Sequence, residues 1–195
     1  MVVIQLAGTE ATFKLEAEVI PLPYDSNLGD LFRDYVIEGA RVQLEEGNAA
    51  TAALWFLMPA MDLPLEVAHA SGFIPVNEFL QSEESKNQLT HLMHRALSTL
   101  KAFFTVFISE VWMTKITTQE ERNQHASVQD MPGSQEGLAV SWDRRLPGGA
   151  IDSHLWIYHV HRKEDGKVAL GERKEMKGAS GRFASFLPPL ESEVN

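Results

Sequence analysis

The sequence predicts an α+β fold, an antiparallel β-sheet with two amphipathic helices packed on one face. Apolar residues recur at three- and four-residue spacing over residues 28–42 and 89–100, as they do along one side of a helix. Residues 12–20 and much of the chain after residue 103 instead favour strands. Because the helices come early and the strands late, we expect helices on a sheet rather than alternating β-α-β units. Residues 1–190 should form one domain, and residues 191–195 a frayed tail.

The first strand and the first helix have clear sequence boundaries. Residues 12–20 alternate apolar and polar side chains, the pattern of a half-buried strand, and the prolines that follow end it. Ser26 or Asn27 can cap the next helix, and Gly47 with Asn48 suits its end. The apolar side of this helix is predicted to comprise Leu28, Leu31, Phe32, Tyr35, Val36 and Val42.

The middle of the chain holds an ambiguous segment and the clearest helix. Alanines in residues 49–58 favour helix, but the leucine- and aromatic-rich second half favours a buried strand, which we predict. The Ser71-Gly72 pair and Pro75 indicate a turn region. Ser82 is a good N-cap for the second helix. The apolar side of that helix comprises Leu89, Leu92, Met93, Ala96, Leu97 and Leu100.

The second half of the chain predicts most of the sheet. Residues 103–116 are rich in aromatic and β-branched residues, so we expect a central strand covered on at least part of both sides. A polar loop should follow over residues 117–133. GLAVSWDR, SHLWIYHVHR and KVALGE predict three further strands, the last two joined by a hairpin turn at Asp165-Gly166. The closing LPPLESEVN should fray.

Composition excludes several chemistries. The 195 residues include no cysteine, which removes disulfides, thiolate metal sites and cysteine nucleophiles. The net charge is −10, with a balance of −9 in residues 1–100, which argues against direct binding to nucleic-acid phosphates. Neither GxxxxGK[ST] nor GxGxxG occurs, and we expect no cofactor. A poor secretory signal and the lack of an apolar run of about 20 residues predict a cytoplasmic protein without a membrane segment.

Glu110 is the candidate catalytic residue. It lies inside the apolar segment FFTVFISEVWMT, where Ile108 and Trp112 share its face of the predicted strand. Burying a carboxylate is costly unless it is paired or hydrogen-bonded, and a carboxylate in such a place can serve as a general acid or base. A structural ion pair, or exposure at a strand edge, explains the same residue.

His159 and His161 are the candidate metal ligands. Alternate residues of a strand point the same way, so both imidazoles can reach one metal ion. The pair resembles the strand-end histidines of JAMM-type metal-dependent isopeptidases, with Glu110 or Glu136 offered as the carboxylate. Arg162 stands where that family has a proline, however, and the following serine is missing. The favoured explanation is two half-exposed strand histidines that bond to cross-strand carboxylates instead of a metal.

The motifs from the second helix onward come in a recognisable order. Residues 108–113 (ISEVWM) precede a polar loop with Asp130-Met131-Pro132, then the segment 135–138, and later residues 169–172. Over about residues 80–175 this order resembles a group of small uncharacterised bacterial and phage proteins with a "sEaWm" strand and a Pro-x-x-x-Glu segment. The resemblance implies a compact α+β domain and implies no activity.

Three functions from different classes remain open. The first is a non-enzymatic interaction or regulatory protein of bacterial or phage origin, whose apolar strands present a face to a protein partner or to a second copy. The second is a small metal-dependent hydrolase that uses the histidine pair and Glu110. The third is an acidic mimic of nucleic acid, suggested by the −9 balance of the first half. We rank them in this order and expect no enzymatic activity.

Overall fold

The strands and helices follow the periodicities of the sequence. The computed structural model describes residues 2–5, 12–20, 27–59, 69–80, 82–114, 127–164, 167–177 and 185–188. Its strands are β1 (Val2–Gln5), β2 (Thr12–Ile20), β3 (Ala53–Pro59), β4 (His69–Pro75), β5 (Phe104–Met113), β6 (Gln135–Arg145), β7 (Ile151–Arg162) and β8 (Val168–Glu175). The helices are α1 (Leu28–Glu45) and α2 (Glu83–Thr99), and short 3-10 helices span Asn77–Leu80 and Val128–Asp130.

The described strands form one antiparallel sheet in the order β1-β2-β4-β3-β5-β6-β7-β8. Every neighbouring pair is antiparallel, which confirms the predicted α+β class. The predicted strand over residues 12–20 is confirmed, and the ambiguous alanine-rich segment does enter a strand, β3. The predicted Asp165-Gly166 turn lies outside the described residues, although β7 and β8 on either side of it do pair.

One predicted turn region is instead a strand. The Ser71-Gly72 pair lies within β4, where Gly72 has Ala17 of β2 and Phe56 of β3 as register partners. The turn prediction for these residues was wrong because β3, the preceding strand, pairs with them on one side and β2, which is distant in sequence, pairs with them on the other. Pro75 is the last residue of β4, a position where a missing N–H costs the ladder little.

Local signals fix the helix ends. The Ser82 side chain accepts a hydrogen bond from the Ser85 N–H at 3.1 Å, and the Ser85 hydroxyl accepts one from the Ser82 N–H at 3.2 Å. This reciprocal pair satisfies N–H groups that the first turn of α2 leaves open. After α1, Gly47 adopts a φ of 82°, a left-handed conformation that glycine takes without strain and that ends the helix.

The two helices lie on opposite faces of the sheet, so the prediction that both pack on one face was wrong. Leu57, Val106 and Val140 share a cluster with α1, and we name their side of the sheet the α1 face. Leu54 and Phe107 share a cluster with α2, and theirs is the α2 face. Neighbouring residues of β3 and of β5 fall into different clusters because successive side chains of a strand point in opposite directions. The periodicity of each helix shows which side is apolar but not which face of the sheet that side meets.

The segment 185–188 completes the α2 face. Phe186 and Leu187 are buried there, and their backbone N–H groups donate to Oδ2 of Asp143 at 2.6 and 3.0 Å. Arg145 Nη2 donates to the carbonyl oxygen of Pro188 at 2.8 Å. The prediction that the chain frays from Leu187 onward is therefore wrong for Leu187 and Pro188, while residues 189–195 lie outside the described part.

Candidate functional site

Glu110 is a structural acceptor between the sheet and the chain after α1. It lies on the α1 face of β5, opposite Leu138 of β6, and is half-buried. Its Oε1 accepts a hydrogen bond from the backbone N–H of Ala50 at 2.6 Å. Because Ala50 is buried in the α1 cluster, this bond satisfies a donor that water does not reach freely. A carboxylate in an apolar strand needs a partner, and the partner of Glu110 is the backbone amide of Ala50, 60 positions away in the sequence.

The histidine pair lies on the other side of the sheet from Glu110. His159 is the register partner of Gly137, and Glu110 that of Leu138, so alternation places His159 and Glu110 on opposite faces. His161 follows His159 on the same face, as the sequence predicted. Its Nε2 lies so close to Gly171 that a Cβ there would come within 2.7 Å. The structure therefore does not bring Glu110 together with the two histidines.

The surroundings of the histidine pair are polar and open. A depression of about 430 Å³ is lined by Ser134, Gln135, Glu136, His159, Val160 and His161. Arg162 Nε donates to Glu136 Oε2 at 2.7 Å, and Arg162 Nη2 donates to Glu136 Oε1. This ion pair raises the pKa of the Arg162 guanidinium and occupies both oxygens of Glu136. Within the described ranges, no group of three or more histidine, aspartate or glutamate residues is placed to hold a metal ion.

Two tryptophans and two arginines join α1 to the far half of the sheet. The Arg33 guanidinium lies 4.5 Å from the ring centre of Trp156 and 5.2 Å from that of Trp142. Arg173 of β8 lies 4.1 Å from the Trp156 ring centre. Such cation–π contacts contribute about 0.5–2 kcal/mol each. Burial here also raises the pKa of the Tyr158 phenol, with Arg173 partly opposing the effect.

His154 is held between two carboxylates beside this cluster. Its ring stacks on Trp142 with centres 4.2 Å apart and planes 12° apart. Nδ1 lies 2.7 Å from Glu175 Oε1, and Nε2 lies 3.0 Å from Asp152 Oδ1. The hydrogen bond from His154 holds the pKa of Glu175 below its usual range. Both ring nitrogens of His154 are engaged, so this cluster ties β7 to β8 rather than offering a base or a ligand.

Helix α1 exposes part of the apolar side that the sequence predicts for it. Leu28, Phe32, Val36, Ala40 and Leu44 are the buried residues of this helix, at a strict spacing of four. Three residues that the sequence placed on the same apolar side are exposed. The exposed fractions are 63% for Leu31, 71% for Tyr35 and 41% for Val42. We name these three residues the apolar stripe. The spacing-of-four pattern was visible in the sequence and is the signal that separates the stripe from the core.

A groove lies beside the apolar stripe, between α1 and the α1 face of β3 and β4. Its volume is about 370 Å³. Trp55 and Phe73, which are register partners on β3 and β4, stack with ring centres 4.9 Å apart and line it. On the α1 side it is lined by Tyr35, Val36, Gly39, Ala40 and Gln43, and elsewhere by Thr51, Ala53 and Ile108. The groove and the apolar stripe thus form one continuous surface through Tyr35, and we name the two together the α1 groove.

No family model, curated protein sequence or solved structure matches this chain. None of the described helices is both long and apolar enough to cross a membrane.

Proposed function

We propose that this protein is a small, acidic, non-enzymatic interaction protein of the cytoplasm, of bacterial or phage origin, that binds a protein partner through the α1 groove. The observation that carries the proposal is the exposure of Leu31, Tyr35 and Val42 beside a groove lined by aromatic rings. Contiguous exposed apolar surface next to polar surroundings is typical of interaction sites. Isolated exposed apolar residues need no such explanation, but these three lie in line along one helix.

The dimensions of the surface favour a macromolecular partner. Leu31 and Val42 are 11 positions apart, which is about 16 Å along a helix axis. The groove shares Tyr35 with this stripe and is lined by α1 residues from Tyr35 to Gln43. A small ligand would contact only part of such a surface. A segment of a partner protein, either a helix of several turns or an extended stretch of several residues, would cover both the groove and the stripe.

The two other functions have weaker support. A hydrolase built on His159 and His161 needs further ligands or a base, and Glu110 lies on the opposite face of the sheet. A nucleic-acid mimic needs an array of uncompensated carboxylates. On α1, Arg33 and Arg41 pair with the four carboxylates and leave an excess of only two negative charges, too few for such an array.

Site-specific photo-crosslinking tests the proposal. A photoreactive amino acid replaces Tyr35 in the groove or, as a matched control, exposed Met176 after β8. We expect a discrete adduct from position 35 in cells, none from position 176, and loss of the adduct when Gly39→Leu fills the groove. Equal adducts from positions 35 and 176, or none from position 35, would contradict an interaction through the α1 groove.

A further inference from the structure

We infer that the α1 groove binds an amphipathic helix of a partner protein, with basic residues flanking the apolar side of that helix. The inference rests on the proposed function and specifies the chemistry of the partner. Two features of the surface carry it, the acidic residues that run alongside the apolar stripe and the backbone pairing beneath the groove.

Acidic side chains follow the apolar stripe along α1. Asp34 lies three residues after Leu31, and Glu38 lies three residues after Tyr35. Glu45 likewise follows Val42 by three residues, so every member of the stripe has a carboxylate neighbour on the helix surface. These three carboxylate side chains are 64%, 58% and 42% exposed. The result is an acidic stripe parallel to the apolar one on the side away from the buried residues.

The acidic stripe keeps an excess of negative charge. Helix α1 carries four carboxylates and only two guanidiniums, those of Arg33 and Arg41. Arg41 is shared between Glu38 and Glu45, and Arg33 between Asp30 and Asp34, so two negative charges remain in excess. The hydrogen bond from Arg41 also lowers the pKa of Glu38. Lysine or arginine beside the apolar side of a partner helix would complement this stripe, as flanking charges do in paired helices.

The backbone beneath the groove excludes binding by strand addition. Strand β3 is hydrogen-bonded to β4 and β5, and β4 is hydrogen-bonded to β2 and β3. Neither strand has a free edge to which an extended segment could add, so an occupant must pack through its side chains. A helix does so, since all its backbone groups are satisfied internally. Gly39 leaves open space where a Cβ would stand, which lets a partner side chain approach the α1 backbone closely.

A second copy of this chain is a poor occupant. A two-fold contact through α1 would place the same surface on both sides. If the two helices are antiparallel, the acidic stripes face each other, and like charges across an interface oppose association. If they are parallel, each acidic stripe faces the groove of the other copy, whose described lining contains no lysine or arginine. The complementary partner is basic, whereas this chain has a net charge of −10.

Two designed peptides test the inference on the full chain. Each is a helical peptide of about 20 residues with leucine along one side, flanked by lysine in one peptide and by glutamate in the other. Isothermal titration should show binding of the lysine peptide at least about tenfold tighter than that of the glutamate peptide, an advantage that shrinks in high salt. Reversing the charges with Glu38→Lys and Glu45→Lys should invert the preference. Gly39→Leu should weaken binding at least about tenfold by filling the groove.

The controls keep the outcomes distinct. Leu146→Ser alters an exposed leucine in the β6–β7 turn and should leave binding unchanged. Equal affinity for both peptides, no binding of the lysine peptide, or binding insensitive to Gly39→Leu would overturn the inference. Self-association that Gly39→Leu abolishes would also overturn it, because the occupant would then be a second copy. A partner adduct from position 35 in cells, together with no binding of the lysine peptide, would support an interaction through the α1 groove. It would refute only the inference that the partner segment is a basic amphipathic helix.

Discussion

Replacing Asp143 by alanine should release the segment 185–188 from the sheet and cost the protein a large share of its stability. The Asp143 carboxylate is 1% exposed and accepts four hydrogen bonds. Thr105 Oγ1 donates to it at 3.0 Å and Ser153 Oγ at 2.6 Å. The N–H groups of Phe186 and Leu187 donate at 2.6 and 3.0 Å. No arginine or lysine is among these four donors, so neutral groups satisfy the buried carboxylate directly.

The magnitude follows from what each substitution leaves unpaired. In Asp143→Ala the two hydroxyls can rotate, but the two backbone N–H groups cannot, and each loses its acceptor in a buried place. An orphaned buried donor costs about 1–3 kcal/mol, so we expect a loss of about 2–6 kcal/mol. Asp143→Asn keeps one oxygen for the three donors on Oδ2, and its amide nitrogen can donate to a rotated Ser153 hydroxyl. The asparagine variant then loses only the extra strength that a negative charge gives to these hydrogen bonds, and a neutral amide also costs less to bury. The free energy of unfolding should therefore fall by about 1–2 kcal/mol.

Urea unfolding followed by tryptophan fluorescence measures both variants, and hydrogen exchange of the Phe186 and Leu187 amides reports on the segment itself. Protection of these two amides should fall far more in the alanine variant than in the asparagine variant. Phe186→Ala is a useful companion, since emptying that buried position should cost about 3–5 kcal/mol without touching the carboxylate. A loss below about 1 kcal/mol for Asp143→Ala, or equal losses for alanine and asparagine, would refute the assignment of Asp143 as the anchor.

Three further substitutions test α1 and the edge of the sheet. Gly29→Ala should destabilise the protein by about 1–3 kcal/mol, because its Cβ would lie 2.6 Å from the fully buried ring of Phe104. Gly39→Ala should instead stabilise it by about 0.5–1 kcal/mol, because its Cβ would meet nothing within 4 Å. Thermal unfolding that shifts in the same direction for both would contradict the placement of α1. The hydrogen bond with His154 lowers the pKa of Glu175 in the folded protein below the ordinary value of 4.5. The stability that this bond adds is therefore fully present above pH 4.5 and is lost as the pH falls through the lowered pKa of the folded protein. The stability difference between wild type and Glu175→Gln should therefore shrink as the solution is acidified, and a difference unchanged from neutral pH to about pH 2 would show that ionised Glu175 adds no stability.

The elements that sequence patterns predicted well are those with local signals. Ser82 caps α2 through its own neighbour Ser85, and the alternation of residues 12–20 coincides with β2. The missed features depend on distant partners. Gly72 lies in a strand because β2 and β3 flank it, and Leu187 is buried because Asp143, 44 positions earlier, holds its N–H. The residues next to Gly72 and Leu187 in the sequence do not indicate this strand pairing or this hydrogen bond.

The candidate site shows the same division. Alternation correctly placed His159 and His161 on one face, but it could not show that Glu110 lies on the other, because that depends on the register between strands. The α1 groove was hidden for a different reason. Three- and four-residue spacing admits a wide apolar arc, so it places Tyr35 and Val36 on the same side of the helix although only Val36 is buried.

The anchoring of the segment 185–188 also orders the folding of the chain in time. During synthesis, Thr105 is made before Asp143, and Ser153 follows Asp143 by 10 positions, but the N–H groups of Phe186 and Leu187 are added 43 and 44 positions after Asp143. At about 5–20 residues per second, the ribosome takes roughly 2–9 s to supply them. Through that interval a nascent chain with β5, β6 and β7 already paired would hold a charged carboxylate on an uncovered part of the α2 face. Docking of the segment 185–188 is therefore the step that dehydrates Asp143, and it must wait until Phe186 and Leu187 have been made.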